Sequence, residues 1–220
     1  MQDHYHTLAE PATGYFMNSG SKFYAHAYPV VSEEAASAVL AQLKKEHPKA
    51  RHFCTAIRLQ ADGSFSRSSD DGEPAGSAGK PILGQLIRYD LTNVYVVVVR
   101  YFGGTKLGIP GLIEAYKTST DDALRQASKV ERFIFGKVQV TVPFDSYPGF
   151  LNHLLHHGHK VIDTDFASDV TITIALRKSQ LEQTLLSLLS NFTQLDYTTV
   201  EEYEAKLNWK ISLLPDDLVQ

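Results

Sequence analysis

Asn93-Val-Tyr-Val-Val-Val-Val-Arg-Tyr-Phe102, followed at once by Gly103-Gly-Thr-Lys-Leu-Gly-Ile-Pro-Gly111, is the stretch on which the architecture turns. Five β-branched residues in a run of six, with no polar alternation, describe a strand covered on both faces. The glycines then break the strand, and Leu112, Tyr116, Ala123, Leu124 and Ala127 recur at helical spacing to about residue 128. A buried strand, a glycine turn and a long amphipathic helix imply a mixed sheet with helices packed on it.

The surrounding segments supply the rest of that sheet. Residues 22–31 read as a strand, and Ser32 offers an N-cap with Glu33 and Glu34 in the first turn. Val39, Leu40 and Leu43 form that helix's stripe, Lys44 and Lys45 suit its C-terminus, and Pro48 stops it. Residues 51–59 read as a strand, Ala61-Asp-Gly-Ser64 as a turn before a shorter strand, and 82–87 as a helix.

Beyond a boundary placed near 128–136 the pattern changes to clean alternation: Val138, Val140, Val142 and Phe144, then Val170, Ile172, Ile174 and Leu176. Residues 147–157 suit a helix ended by Gly158, and 160–166 a strand. Ser179 can cap a helix carrying Leu181, Leu185, Leu188 and Leu189. Tyr203, Ala205, Leu207, Trp209, Ile211 and Leu213 read as a last strand. The order β-α-β-β-α-β is the ferredoxin-like split, so the expected division is 1–130 and 131–220.

Composition narrows the function. With 43% hydrophobic and 21% charged residues over 220 positions, both halves have the material for a core. No stretch approaches the roughly 18 apolar residues of a membrane span, and the start lacks a signal peptide's basic and apolar regions. Cys54 is the single cysteine, which excludes an intrachain disulfide; it is expected to be a small buried hydrophobe. These features favour the cytoplasm. The net charge of −4 divides into +1 over 1–130 and −5 over 131–220, so neither half is a broadly basic nucleic-acid module.

Several motifs invite chemistry. Gly72-Glu-Pro-Ala-Gly-Ser-Ala-Gly-Lys80 looks like a P-loop, but Pro74 stands where the first glycine belongs and Pro81 where the magnesium-binding hydroxyl belongs. The 103–111 segment, with Lys106, is either a tight turn or an anion site at a helix start. Asp70, Asp71 and Glu73 are turn and cap acids, with acid–base or metal work as the alternative. His153, His156, His157 and His159 form a helix-face cluster, with metal binding as its alternative; no metal or cofactor is expected. Arg100, after four valines, needs a partner: it lines a groove or pairs internally with Asp70, Asp71 or Glu73.

Three long motifs in order, His47-Pro-Lys-Ala-Arg-His52, Ser69-Asp-Asp-Gly-Glu-Pro-Ala-Gly-Ser-Ala-Gly-Lys-Pro81 and Val97-Val-Val-Arg-Tyr-Phe-Gly-Gly-Thr-Lys-Leu-Gly108, closely resemble the YigZ/IMPACT family. Gly111-Leu112, Ala115-Tyr116 and Gly20-Ser-Lys-Phe23 extend the likeness over about 22–127. The resemblance implies an α+β chain: a domain of the ribosomal-protein-S5-domain-2 type, then a ferredoxin-like domain similar to one in elongation factor G. It implies a translation-linked regulatory or binding protein contacting RNA, ribosomes or a regulatory protein, and the lack of recognisable catalytic machinery favours a noncatalytic role. An enzyme or sensor for a small phosphorylated ligand held by the glycine-rich loops is the alternative. The candidate binding surface is Arg51, His52, Asp70, Asp71, Glu73, Lys80, Arg100, Gly103, Gly104, Lys106 and Gly108.

Overall fold

A computed structural model describes residues 3–214, which divide into one compact unit of His4–Arg132 and a second formed by Asp3 and the chain from Phe133 onward. The first unit contains β1 (His4–Leu8), β2 (Ala12–Asn18), β3 (Ser21–Pro29), α1 (Glu33–Glu46), β4 (His52–Leu59), β5 (Phe65–Ser69), α2 (Gly79–Arg88), β6 (Val94–Tyr101), α3 (Gly108–Gln126) and β7 (Lys129–Phe133). Five strands form one sheet in the order β2-β3-β6-β4-β5, and β1 pairs with β7 in a small separate sheet.

The valine run is the central strand, and its two faces serve two cores. Val94, Val96 and Val98 meet α2 and α3 in a core with Phe23, Cys54, Ile82, Leu86 and Tyr116. Tyr95, Val97 and Val99 face the other way, toward Leu43 of α1, Phe53 and Ile57. Covering both faces removes the need for polar alternation, which is why β6 reads as an unbroken apolar run. Ser32 caps α1 as expected, its Oγ accepting from the Ala35 N–H at 3.2 Å.

Several expectations shift in this unit. β2 and β1 lie in a stretch where no strand was expected, since Ala12-Thr-Gly-Tyr-Phe-Met-Asn18 has neither a clean period nor a β-branched run. β7 occupies the segment expected to be a boundary. β3 ends at Pro29, two residues early, because Val31 is exposed and Ser32 already caps the helix. α2 begins at Gly79 rather than 82, because Asp70 caps its first N–H groups.

The second unit contains β8 (Phe135–Val142), α4 (Tyr147–His156), β9 (Lys160–Phe166), β10 (Val170–Arg177), α5 (Leu181–Thr193), α6 (Val200–Leu207) and β11 (Lys210–Leu213). Its antiparallel sheet runs β11-β8-β10-β9, the ferredoxin-like strand order, with its core on one face. One solvated face restores the alternation that β6 lacks. Phe150, Phe192 and Trp209 pack edge-on or tilted in this core, with ring centroids 5.1 to 5.8 Å apart.

Two readings here need correction. The segment expected as a final strand from Tyr203 is helix α6 followed by a short β11. Thr199 and Glu202 form a reciprocal capping box, and Asn208 ends the helix in the left-handed region at φ 57°. Buried Tyr203 fitted a strand's alternation equally well, so the period misled; its hydroxyl donates to Leu195 O at 2.7 Å. Ser179 does not cap a helix. It sits in a single 3-10 turn, Lys178–Gln180, and its hydroxyl donates to the Asp3 carboxylate, which also receives Arg177.

Candidate functional site

The motif residues converge at one end of the five-stranded sheet, on the face covered by α2 and α3. Register makes this happen: Arg100 is flanked by Phe23 on one side and His52 on the other. The strand ends therefore bring the second and third motifs together.

Arg100 is buried, and it pairs internally. Its Nη1 donates to Glu73 Oε1 at 2.6 Å, with side-chain exposures of 7% and 4%. The guanidinium also lies 5.4 Å from the Phe23 ring centre and 5.6 Å from that of Phe102. Tyr116 of α3 donates to the same Glu73 oxygen at 2.8 Å. Cys54 Sγ is 3.2 Å from the Tyr116 hydroxyl and 3.0 Å from the Asp70 carbonyl, both able to accept its proton. Burial pushes the thiol up to about 12 and raises the Tyr116 phenol strongly, with neighbouring Cys54 and Glu73 adding to the latter. Burial therefore disfavours the thiolate, the form that acts as a nucleophile.

The three acids have separate duties. Asp70 accepts from the N–H groups of Gly76 at 2.8 Å, Ala78 at 3.0 Å and Gly79 at 2.8 Å. Partial burial opposes its charge, but those donors together with Lys80 hold its carboxyl below the usual range. Asp71 Oδ2 accepts from Phe53 N–H at 2.6 Å, and its carbonyl lies 2.9 Å from His52 Nδ1. Asp71 and Gly72 both have positive φ, 41° and 85°, as the turn dipeptide suggested. Glu73 neutralises Arg100. The acidic cluster thus binds its own loop, and among the described residues no group of three or more His, Cys, Asp or Glu is arranged for a metal.

The two glycine-rich loops therefore differ. In 72–80 the N–H groups of Gly76, Ala78 and Gly79, which a bound phosphate would need, are already taken by Asp70. Lys80 remains exposed. In 103–111, Gly103 is wedged against β3: a Cβ there would lie 1.9 Å from the Gly20 carbonyl carbon, and its N–H donates to Ser21 Oγ at 3.1 Å. Gly104 has φ +90° with open space beside it, and α3 starts without a side-chain cap. Lys106, Gly108 and Arg51 are exposed. Ser21 and Tyr116 join the network although no motif reading singled out their roles; their placement depends on the pairing of β3 with β6 and on the packing of α3.

The histidine cluster in the second unit is local. His157 Nδ1 lies 2.9 Å from the His153 carbonyl, and the two rings stand 4.2 Å apart. Burial and neighbouring His157 lower the basicity of His153 and His159.

The Impact N-terminal domain matches residues 19–124, and a domain of unknown function, DUF1949, matches 140–194. The IMPACT family member YigZ of Escherichia coli (strain K12) is 36% identical over 152 residues, covering 68% of this chain and 74% of that protein. A crystal structure of a hypothetical protein superimposes with a TM-score of 0.74 at 28% identity, covering 99% of this chain and all of the other. The two-domain translational regulator Yih1 is 36% identical across 56% of this chain and 47% of its own, with a TM-score of only 0.35. Matched by one family domain in each half, and covering three-quarters of the Escherichia coli member at this identity, the chain belongs to the YigZ/IMPACT family.

Proposed function

We propose that this protein is a noncatalytic, translation-linked regulatory or binding protein of the cytoplasm, whose 1–130 domain carries the surface for RNA, ribosomal particles or a regulatory protein. Family membership supports the link to translation. The observation that carries the noncatalytic reading is the engagement of the chemically capable groups: Asp70, Asp71, Glu73 and Arg100 all hold backbone or one another. The residues that face solvent beside them include the cations Arg51, Lys80 and Lys106, the small Gly104 and the ring of Phe102. Exposed cations next to an open loop suit phosphate-backbone contact, which is independent of sequence and sensitive to salt. The 131–220 domain, net −5, suits a role in orienting or excluding partners. No helix among the described residues is long and apolar enough to cross a membrane.

The test is binding of the full chain to RNA and to purified ribosomal particles across a salt series. Affinity should fall as salt rises, and Lys80→Ala with Lys106→Ala should weaken binding and flatten the salt slope. An unchanged slope and affinity in the double variant would remove these residues from the surface. Saturable stabilisation by a single phosphorylated metabolite, in place of RNA or ribosome binding, would overturn the reading.

A further inference from the structure

The opposite face of the same sheet carries a second set of unassigned side chains. Strand alternation puts Lys22, Tyr24, His26 and Tyr28 of β3 on the α1 side, away from Phe23, Ala25 and Ala27. α1 covers only the half of that face built by β4 and β6, where Phe53, Ile57, Tyr95, Val97 and Val99 are buried. Toward the edge strand β2 the face is open, with Tyr15 44% and Met17 57% exposed.

The border between the covered and the open half is an array of rings, in which Tyr15 is exposed while Tyr24, Tyr101 and His47 are half-buried beside the α1-side core. Tyr15 and Tyr24 lie 5.0 Å apart between centroids, Tyr24 and Tyr101 5.9 Å, and Tyr24 and His47 6.2 Å in a stacked orientation. His47 Nδ1 is 2.9 Å from the Tyr101 hydroxyl, which seats the C-terminus of α1 on the array. His26 packs 5.5 Å from His47, and its Nε2 is buried without a partner among the described residues.

Positive charge runs through and beside these rings. Lys22 is exposed and lies in register between Met17 and Tyr101, on the same face as Tyr24. The last turn of α1 exposes Lys44, which lies 5.7 Å over the Phe53 ring, and Lys45, and the segment after His47 exposes Lys49, with the carboxylate of Glu46 among them. Rings that stack on bases and cations that meet phosphates are the two requirements for holding an unpaired strand.

We propose that this border of the open half-face, Tyr15, Tyr24, Tyr101 and His47 with Lys22, is a stacking platform for single-stranded RNA. The inference rests on the RNA-binding form of the proposed function and assigns the bases to the face opposite the motif loops. Base–aromatic stacking is tolerant of sequence, so the platform selects unpaired strands rather than a particular base order.

The experiment measures binding of labelled oligouridine to the full chain and, in parallel, of heparin, a polyanion without bases. Tyr15→Ala combined with Tyr24→Leu should weaken oligouridine roughly ten-fold per ring. The same variant should leave the salt slope and heparin binding unchanged. Lys22→Ala should weaken both probes. Photocrosslinking of bromouridine-substituted RNA to the wild-type chain should mark peptides containing Tyr15, Tyr24 or Tyr101, a readout that needs no variant to fold. Undiminished oligouridine binding in the tyrosine variant, or crosslinks confined to other peptides, overturns the platform. If Lys80→Ala with Lys106→Ala still weakens RNA in that case, the proposed function stands without it. Failure of the wild-type chain to bind any RNA removes the RNA-binding form of both readings.

Discussion

The glycine-rich segments 72–80 and 103–111 both start helices of one unit, yet they end in opposite conditions. The first is closed on itself: one carboxylate takes three backbone donors, and another sits buried on an arginine. The second is pinned at Gly103 only and then opens. Glycine at a helix start creates the opportunity to hold an anion. Whether that opportunity is spent internally depends on an acid elsewhere in the chain, here Asp70.

The comparison can be broken by substitution. Glu73→Ala is expected to have the largest effect, about 3–5 kcal/mol in chemical denaturation, because it strands the buried Arg100 charge. Replacing both partners, Arg100→Met with Glu73→Leu, should recover much of that loss; a double variant as unstable as the single would show that the pair is not the cause. Gly103→Ala should cost about 3 kcal/mol by overpacking against Gly20 and Ser21. Gly104→Ala, with space around it but a left-handed backbone, should cost only about 1–2 kcal/mol. Equal losses at the two glycines would erase the distinction between pinned and open.

Asp70→Asn should cost about 1–3 kcal/mol, since three N–H groups lose an ionised acceptor. Its folded carboxyl titrates below the unfolded value, so its contribution is complete above about pH 4 and lost as pH falls through the folded pKa. Acid unfolding of the wild type should therefore have a steeper limb than that of Asp70→Asn, and identical limbs would contradict the assignment. The smallest effect is expected for Lys80→Ala and Lys106→Ala, each within about 0.5 kcal/mol in stability, because both side chains face solvent.

The same contrast explains what the sequence disclosed. The second unit shows its fold through period two, because one face of its sheet is wet. β6 declared itself through its valines, and Ser32 through its cap. β1 stayed hidden because its partner is the distant β7, and β2, a hairpin partner of β3, because its residues show neither a clean period nor a β-branched run. At the site, the sequence brought Arg100 near the right acids but could not choose among them. The choice of Glu73 follows from the register of β3, β6 and β4, which places Arg100 beside Phe23, and from Tyr116 reaching across from α3. Local residue type records such long-range pairings poorly.

Trp209 is the only tryptophan in the chain, and it is enclosed by Phe150 and Phe192 in the second unit. Indole emission therefore samples that unit's core and carries no direct signal from the Glu73–Arg100 network. A fluorescence melt that looks unperturbed after a change at Glu73 would say nothing about the first unit. Circular dichroism, or the reactivity of the buried Cys54 thiol, must be followed to see it.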